Sequence, residues 1–282
     1  MKHNVLKTIV CILVIIISLV LIYSSTSVFI SQNALMITKC KATSSGIEND
    51  IRIAVISDLH DSSFGKDNKR LIRKVSKCEP DVIFTVGDMI SDYREDYSYL
   101  STLYEGLSEI APVYCSLGNH ELSHPESENI KEILREHATL LDNEYIELKL
   151  KGNDIRMGAL MPYHPSFEDK NEYLRDFADT DKFTILLSHC PEYYFWGVDE
   201  VKIDLMVSGH THGGQVIVPF KGGLFAPEQG YFPYYDYGVF YEENATLVIT
   251  RGLGTSKQKV PRFNNPPEVL CLTLTAEVQN GK

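Results

Sequence analysis

The chain has 282 residues, with 27 Lys and Arg against 38 Asp and Glu, for a formal charge of −11 at pH 7. Such a balance argues against holding nucleic acid by broad phosphate neutralisation, which draws its free energy from clustered cations. With 44% apolar and 23% charged residues the chain is not intrinsically disordered, and its length allows one large domain or two small ones with a sizeable core.

Ile9 to Ile30 is a run of 22 residues without a charge, dense as far as Tyr23 and softer through Ser24-Ser25-Thr26-Ser27. About 20 apolar residues span a bilayer as a helix, so residues 1–30 are expected to be a single-pass anchor in the cell membrane. Lys2 and Lys7 precede the run and no cation follows until Lys39, which places the N-terminus inside and the rest of the chain outside the cytoplasm. A cleaved signal peptide is the rival reading of Ile9 to Tyr23, although no A-x-A pattern follows it. Residues 31–50 are polar around Ser44-Ser45-Gly46 and read as a flexible tether with a root-mean-square span of about 25 Å. The six cysteines, Cys11, Cys40, Cys78, Cys115, Cys190 and Cys271, lack the short paired spacings of a zinc site or a disulfide-stapled module. Unpaired thiols sit awkwardly with an outward-facing domain.

From Ile51 onward, Val- and Ile-rich runs alternate with helical patterns, the signature of an α/β domain, taken as one unit over 51–282. Leu71, Ile72, Val75 and Cys78 mark one amphipathic helix, and Ile130, Ile133, Leu134 and His137 another. Ile146, Leu148 and Leu150 alternate with charged residues before Gly152-Asn153, which reads as a hairpin entering its turn. Between Gly213 and Pro267 the abundance of Gly, Pro and Tyr predicts loops and short antiparallel strands.

Five apolar runs end directly in residues able to bind a metal. Arg52 to Ser57 leads to Asp58-Leu59-His60, Val82 to Val86 to Gly87-Asp88, and Pro112 to Leu117 to Gly118-Asn119-His120-Glu121. Phe183 to Ser188 leads to His189, and Ile203 to Ser208 to Gly209-His210-Thr211-His212-Gly213-Gly214. Parallel strands deliver their carboxyl ends to one edge, so these segments are expected to converge in one cleft. Asp-x-His or Gly-Asp alone would be unremarkable turn chemistry. Together the five segments hold five of the nine histidines, a concentration that packing does not explain; His3, His124, His137 and His164 have no comparable context. Imidazoles, carboxylates and an amide suit borderline divalent cations such as Mn²⁺, Fe²⁺ or Zn²⁺ better than Ca²⁺ or a thiolate zinc site.

In this order, D-x-H, G-D, G-N-H-D/E, a lone His and G-H-x-H, the motifs resemble the calcineurin-like metallophosphoesterases. Gly213-Gly214-Gln215, Ala226-Pro227, Arg251-Gly252-Leu253-Gly254, Arg262-Phe263 and Pro267-Glu268 are similar to the membrane-associated bacterial branch with the YkuE-like and YaeI-like phosphodiesterases. The resemblance implies two packed mixed β-sheets flanked by helices, an αββα sandwich. It implies two divalent ions, manganese first among Mn, Fe and Zn, with Asp58, His60 and His212 on one, Asn119, His189 and His210 on the other, and Asp88 bridging. His120 would then protonate the leaving group, with its acidic neighbour Glu121 orienting it; the family often has Asp at that position. A second aspartate of a G-D-x-x-D form is displaced by one, to Asp92. The implied activity is hydrolysis of a phosphodiester or pyrophosphate bond by water activated between two metals. The anchor suggests a small phosphorylated or lipid-linked, envelope-associated substrate, with no nucleic acid partner. A protein phosphatase and a catalytically silent metal-bound membrane scaffold are the alternatives.

Three further features have competing readings. Tyr231, Phe232, Tyr234, Tyr235, Tyr237, Phe240 and Tyr241 form either a lip at a membrane surface or, more simply, the packing of an irregular subdomain. Arg251 and Arg262 either clamp a phosphate or make structural ion pairs. Cys190, beside His189, reads as wall packing.

Overall fold

A computed structural model describes residues 2–162, 167–255 and 260–276; His164 and the last six residues lie outside it. It opens with one unbroken helix, α1 (Lys2–Asn33), long and apolar enough over His3–Asn33 to cross a membrane. Residues 5–22 expose their apolar side chains along its length, whereas Ser27 and Ser31 are buried against the domain.

The expected tether is not free. Its centre is β1 (Met36–Ser44), paired along its whole length in parallel with the last strand. The segment looked like a linker because only one side of it is buried: Ala42 faces the core while Lys39 and Lys41 point outward, as suits an edge strand.

Then follow β2 (Ile51–Ile56), α2 (Lys69–Ser76), β3 (Val82–Val86), α3 (Tyr99–Ser108), β4 (Val113–Ser116), α4 (Asn119–Ser123), α5 (Ser127–His137) and β5 (Thr139–Leu140). After β6 (Tyr145–Leu150) and β7 (Asn153–Leu160) come α6 (Phe167–Ala178), β8 (Phe183–Ser188) and β9 (Leu205–Ser208). Short strands complete the chain: β10 (Ile217–Val218), β11 (Gly222–Gly223), β12 (Phe225–Ala226), β13 (Gly230–Tyr231), β14 (Gly238–Tyr241) and β15 (Thr246–Ile249), then the long β16 (Glu268–Ala276). The β10–β11, β12–β13 and β14–β15 pairs are antiparallel, as expected of that region.

Two six-stranded mixed sheets result, in the orders β1-β16-β2-β3-β4-β5 and β14-β15-β9-β8-β7-β6. The alternation of side chains along a strand decides what each face meets. Ile51, Ile53 and Val55 of β2 join Val82, Phe84 and Val86 of β3 against Ile155, Met157, Ile185, Leu187, Leu205 and Val207 of the opposite sheet. Ala54 and Ile56 point the other way, towards Leu71 and Val75 of α2 and Leu100, Leu103, Tyr104 and Leu107 of α3. The outer face of the second sheet packs on Leu174 and Phe177 of α6. This is an αββα sandwich. Strands β2, β3 and β4 run parallel in one sheet and β8 and β9 in the other, so the five motif-bearing strands belong to two facing sheets and not to one.

Two local expectations shift. The β6–β7 turn is Lys151-Gly152, both at positive φ (53° and 89°), the two-residue turn that matches the twist of a hairpin, and Asn153 already pairs with Leu150. Cys78 and Cys271 form a disulfide across a separation of 193 residues, with Cα atoms 5.7 Å apart. It ties the end of α2 to β16, a pairing that local cysteine spacing has no means of signalling.

Candidate metal centre

The carboxyl ends of the five strands are brought together by backbone contacts that require small residues. Gly87 lies at φ 74°, and a Cβ there would meet the Gly118 nitrogen at 2.6 Å, so the loops after β3 and β4 touch main chain to main chain. Ser57 Oγ donates to Val86 O at 2.7 Å, and the Asp58 N–H donates to Gly87 O at 3.0 Å. The sheets are joined at the site itself, because the His210 N–H donates to both Asp58 carboxylate oxygens at 3.2 Å.

Five side chains of the cluster sit on left-handed backbone: Asp58 (φ 56°), His60 (49°), Asp88 (53°), His210 (68°) and His212 (49°). Such residues cost about 1–3 kcal/mol each and persist where surrounding structure over-determines them. Here the left-handed kink turns each side chain from the strand end into the cleft between the sheets.

Asp58, His60 and His212 form one group of metal-binding atoms, and Asp88, His189 and His210 a second; within each, the atoms all lie within 4.8 Å of one another. The groups adjoin. His189 Nε2 is 3.1 Å from Asp88 Oδ2 and 3.9 Å from Asp58 Oδ1, while His60 Nε2 is 3.7 Å from Asp88 Oδ2. The other Asp88 oxygen accepts the His120 N–H at 2.9 Å, which fixes the carboxylate. Asn119, the first residue of α4, contributes a buried Oδ1.

Among the described residues, His60 Nε2, His189 Nε2, His212 Nδ1 and Asn119 Oδ1 are buried without a hydrogen-bond partner. Buried polar atoms are rarely left so, and lone pairs gathered in one cleft are the donor set that a cation satisfies. One tautomer is fixed by the fold, since His189 Nδ1–H donates to Val86 O at 2.7 Å and leaves Nε2 to face the carboxylates.

The electrostatics favour a cation. Burial opposes charge on Asp58, yet the His212, His189 and His60 imidazoles hold its carboxyl below the usual range. Asp88 is likewise opposed by burial but is held well below the usual range by His189, then His60 and His120. Burial pulls His212 down to about 3 and also lowers His60. Burial disfavours the charged form of His189 too, but Asp88 beside it pushes the imidazole up to about 10. Both carboxylates therefore stay ionised in the buried cluster, where a cation would neutralise them.

Glu121 is 2% exposed and sits behind the ligand loops. Its carboxylate accepts N–H groups from Gly118, Asp88 and Met89 at 2.8, 2.9 and 2.6 Å, stitching the loop after β3 to that after β4. The group placed to orient His120 is instead the displaced Asp92, whose N–H donates to His120 Nδ1 at 3.1 Å and whose Oδ1 lies at the same distance from that nitrogen. The other face of that ring is turned to the cluster, with Nε2 3.9 Å from Asp88 Oδ2 and the His60 ring 4.7 Å away.

Two contacts had no signal in the sequence. Glu228, at the turn between β12 and β13, accepts from His210 Nε2 at 2.8 Å. Asn265 is wholly buried, and its Nδ2 donates to His212 O at 2.7 Å and Gln215 O at 3.2 Å. Its own N–H donates to Ser31 Oγ of α1, and Asn264 bonds Ser27 and Tyr23 one and two turns earlier. The long apolar helix α1 is thus part of the frame around His212.

Arg251 is an ion-pair partner of Glu268 at 2.6 Å, and the buried Arg262 donates to Gly254 O and Arg251 O, while its Nη1 is buried without a hydrogen-bond partner. Cys190 lies near His210 and Glu192, but burial pushes its thiol well above the usual range, against a thiolate ligand. The aromatic segment divides: Tyr235 is buried in a ring cluster with Phe195, Tyr234 and Phe240, whereas Tyr231 and Phe232 are exposed.

A metallophosphoesterase of Campylobacter jejuni, Cj0846, is 32% identical over 276 residues, covering 92% of this chain and 68% of its own. The metallophosphoesterase YkuE of Bacillus subtilis is 29% identical over 79% of this chain and 78% of its own. The phosphodiesterase YaeI of Escherichia coli is 29% identical over 79% of this chain and 82% of its own. Residues 51–214, from the start of β2 to the glycines after His212, match the calcineurin-like phosphoesterase family, and the chain belongs to that family.

Proposed function

We propose that this protein is a two-metal phosphoesterase that hydrolyses a phosphodiester or pyrophosphate bond, acting on a lipid-linked or envelope-associated substrate at the outer face of the cell membrane. The observation that carries the reading is the pair of adjoining ligand groups around Asp58 and Asp88, with buried donor atoms that have no other partner.

In this reading Asp58, His60 and His212 hold one divalent ion, Asn119, His189 and His210 the other, and Asp88 lies between them. Nitrogen and oxygen donors without a thiolate suit manganese, iron or zinc, manganese being the first choice. Paired divalent ions supply an activated water at neutral pH and neutralise charge on the phosphoryl oxygens. The protein's own part is to position and to move a proton. His120 keeps Nε2 towards the cluster because Asp92 fixes Nδ1 from behind. A proton on Nε2 is delivered to the departing oxygen, while Nδ1 accepts the Asp92 N–H. The left-handed backbone at five positions holds the set preorganised.

An outward-facing domain is supported by the charge bias around α1 and by the Cys78–Cys271 disulfide, a bond that persists in oxidising compartments.

The test is hydrolysis by chelator-stripped protein resupplied with Mn²⁺, Fe²⁺, Zn²⁺ or Mg²⁺. The substrates are bis(4-nitrophenyl) phosphate, 4-nitrophenyl phosphate and a UDP-sugar. Metal-restored cleavage of the diester or pyrophosphate is expected; cleavage of none of the three with two metals bound would remove the reading.

A further inference from the structure

The loop that carries His212 runs on into a groove. Gly214, Gln215 and Val216 form its floor, Leu224, Phe225 and Tyr231 one wall and Val260 the other, around a volume of about 280 Å³. Among the described residues no charged side chain lines it. Tyr231 is 76% exposed and Val260 49%, which is a poor arrangement for apolar groups with nothing to cover them.

The groove is tied to the metal centre at one end and to the membrane helix at the other. The β12–β13 hairpin places Glu228 on His210 at its turn, and Phe225 and Tyr231, in edge contact at 5.5 Å, at its base. Phe225 and Tyr231 each lie three positions from Glu228, at most about 10 Å of chain, so the groove begins on the same short hairpin that touches His210. On the other side Val216 bridges to Phe263, whose ring packs at 5.9 Å on Tyr23 of α1. Tyr23 ends an exposed run that is free of charge from Thr8. At 1.5 Å per residue the 15 residues 8–22 span about 22 Å, most of the hydrocarbon thickness of a bilayer. The outer end of the groove therefore lies where α1 leaves the hydrocarbon.

The geometry points to this groove as the subsite for the alkyl or prenyl chain of an amphiphilic phosphoester. The chain rises from the bilayer past Tyr23, lies along Val216, Tyr231 and Val260, and leaves its phosphoryl group at the metal centre. This rests on the phosphoesterase reading and adds to it which part of the substrate is recognised and where.

The experiment uses the full chain in lipid nanodiscs, loaded with Mn²⁺, and two diesters with one leaving group, 4-nitrophenyl hexadecyl phosphate and 4-nitrophenyl methyl phosphate. In each, water adds to phosphorus, the bond to the nitrophenyl oxygen breaks, and nitrophenolate and the alkyl phosphate are released. The ratio of kcat/KM, hexadecyl over methyl, should be well above one. Val260→Asp and Tyr231→Ala should lower that ratio by roughly tenfold or more. Tyr241→Ala, an exposed aromatic away from the groove, should not. A ratio near one in the unaltered protein, or one that the groove variants do not change, overturns the subsite while leaving the phosphoesterase standing. Failure to cleave either diester counts against the activity, and a second measurement then decides the groove. A photoreactive diazirine analogue of hexadecyl phosphonate, which need not turn over, should label residues 214–231 and lose that label in Val260→Asp. Labelling elsewhere, or unchanged in the variant, overturns the subsite.

Discussion

Asn265→Asp keeps the shape of a side chain that connects α1 to the His212 loop and reverses its hydrogen bonding. The amide donates to His212 O at 2.7 Å and Gln215 O at 3.2 Å in a site with no exposure. A carboxylate there would face two carbonyl oxygens, and such a group takes up a proton in preference to remaining charged. Holding that proton at pH 7 against an unfolded-state value near 3.9 costs roughly 1.36 × 3.1, or about 4 kcal/mol. The protonated acid recovers one of the two donor bonds, so about 1 kcal/mol is lost in addition. The expected destabilisation is about 5 kcal/mol at pH 7, falling towards about 1 kcal/mol at pH 4. The sign follows from linkage: the folded variant binds the extra proton, so its deficit grows as pH rises above 3.9. Asn265→Ala leaves both carbonyls unpaired at a cost of about 2–4 kcal/mol, with no pH dependence of its own. Thermal unfolding of the metal-free full chain in detergent at pH 4, 5.5 and 7 measures both. Equal and pH-independent losses in the two variants would refute the assignment of Nδ2 to those carbonyls.

His120→Ala should keep both metals by elemental analysis and lose about 10²- to 10⁴-fold in turnover, and Asp92→Asn should lose less, about tenfold, with the pH–rate profile displaced. A profile unchanged in Asp92→Asn would separate that carboxylate from the proton donor. Because Asp88 pushes His189 up to about 10, a cation that takes its nitrogen must expel a proton. Metal affinity should therefore rise with pH through the neutral range, with about one proton released at pH 7.5 in calorimetry across buffers of different ionisation enthalpy; zero release would contradict it. For the metal-free protein the sign is opposite, since the stabilisation from this raised imidazole is complete below about 6.5 and lost as pH rises through 10. Finally, unreduced, denatured protein should titrate four thiols, those of Cys11, Cys40, Cys115 and Cys190, and reduction should lower the midpoint of unfolding. A loop of 193 residues implies about 5 kcal/mol in the chain-entropy account; six free thiols would remove the disulfide.

Much of the frame is legible in the residues because its causes are local. Leu71 and Val75 repeat at helical spacing because α2 has a single buried face, and Ile146, Leu148 and Leu150 alternate because β6 has two unlike faces. Edge strand β1 defeats the same reasoning: its half-polar alternation is shared by linkers, and only the partner strand, 232 positions on from Met36 to Glu268, makes it a strand. The two-sheet arrangement has the same origin, because five buried strands of like composition do not say which of them pair.

At the metal centre the sequence by itself determined the chemistry: which donor types stand at the ends of five apolar runs, and therefore that a borderline cation is the ligand they suit. Tertiary structure alone decided the geometry. It placed Asp92 and not Glu121 on His120, put Glu228 on His210, buried Asn265 under His212, and made β1 an edge strand where a tether was expected. The physical reason is that donor identity is a property of a residue, whereas a hydrogen-bond partner is a property of the cleft. Contacts such as Ser31 to Asn265, 234 positions apart, exist only once two sheets and a helix have packed.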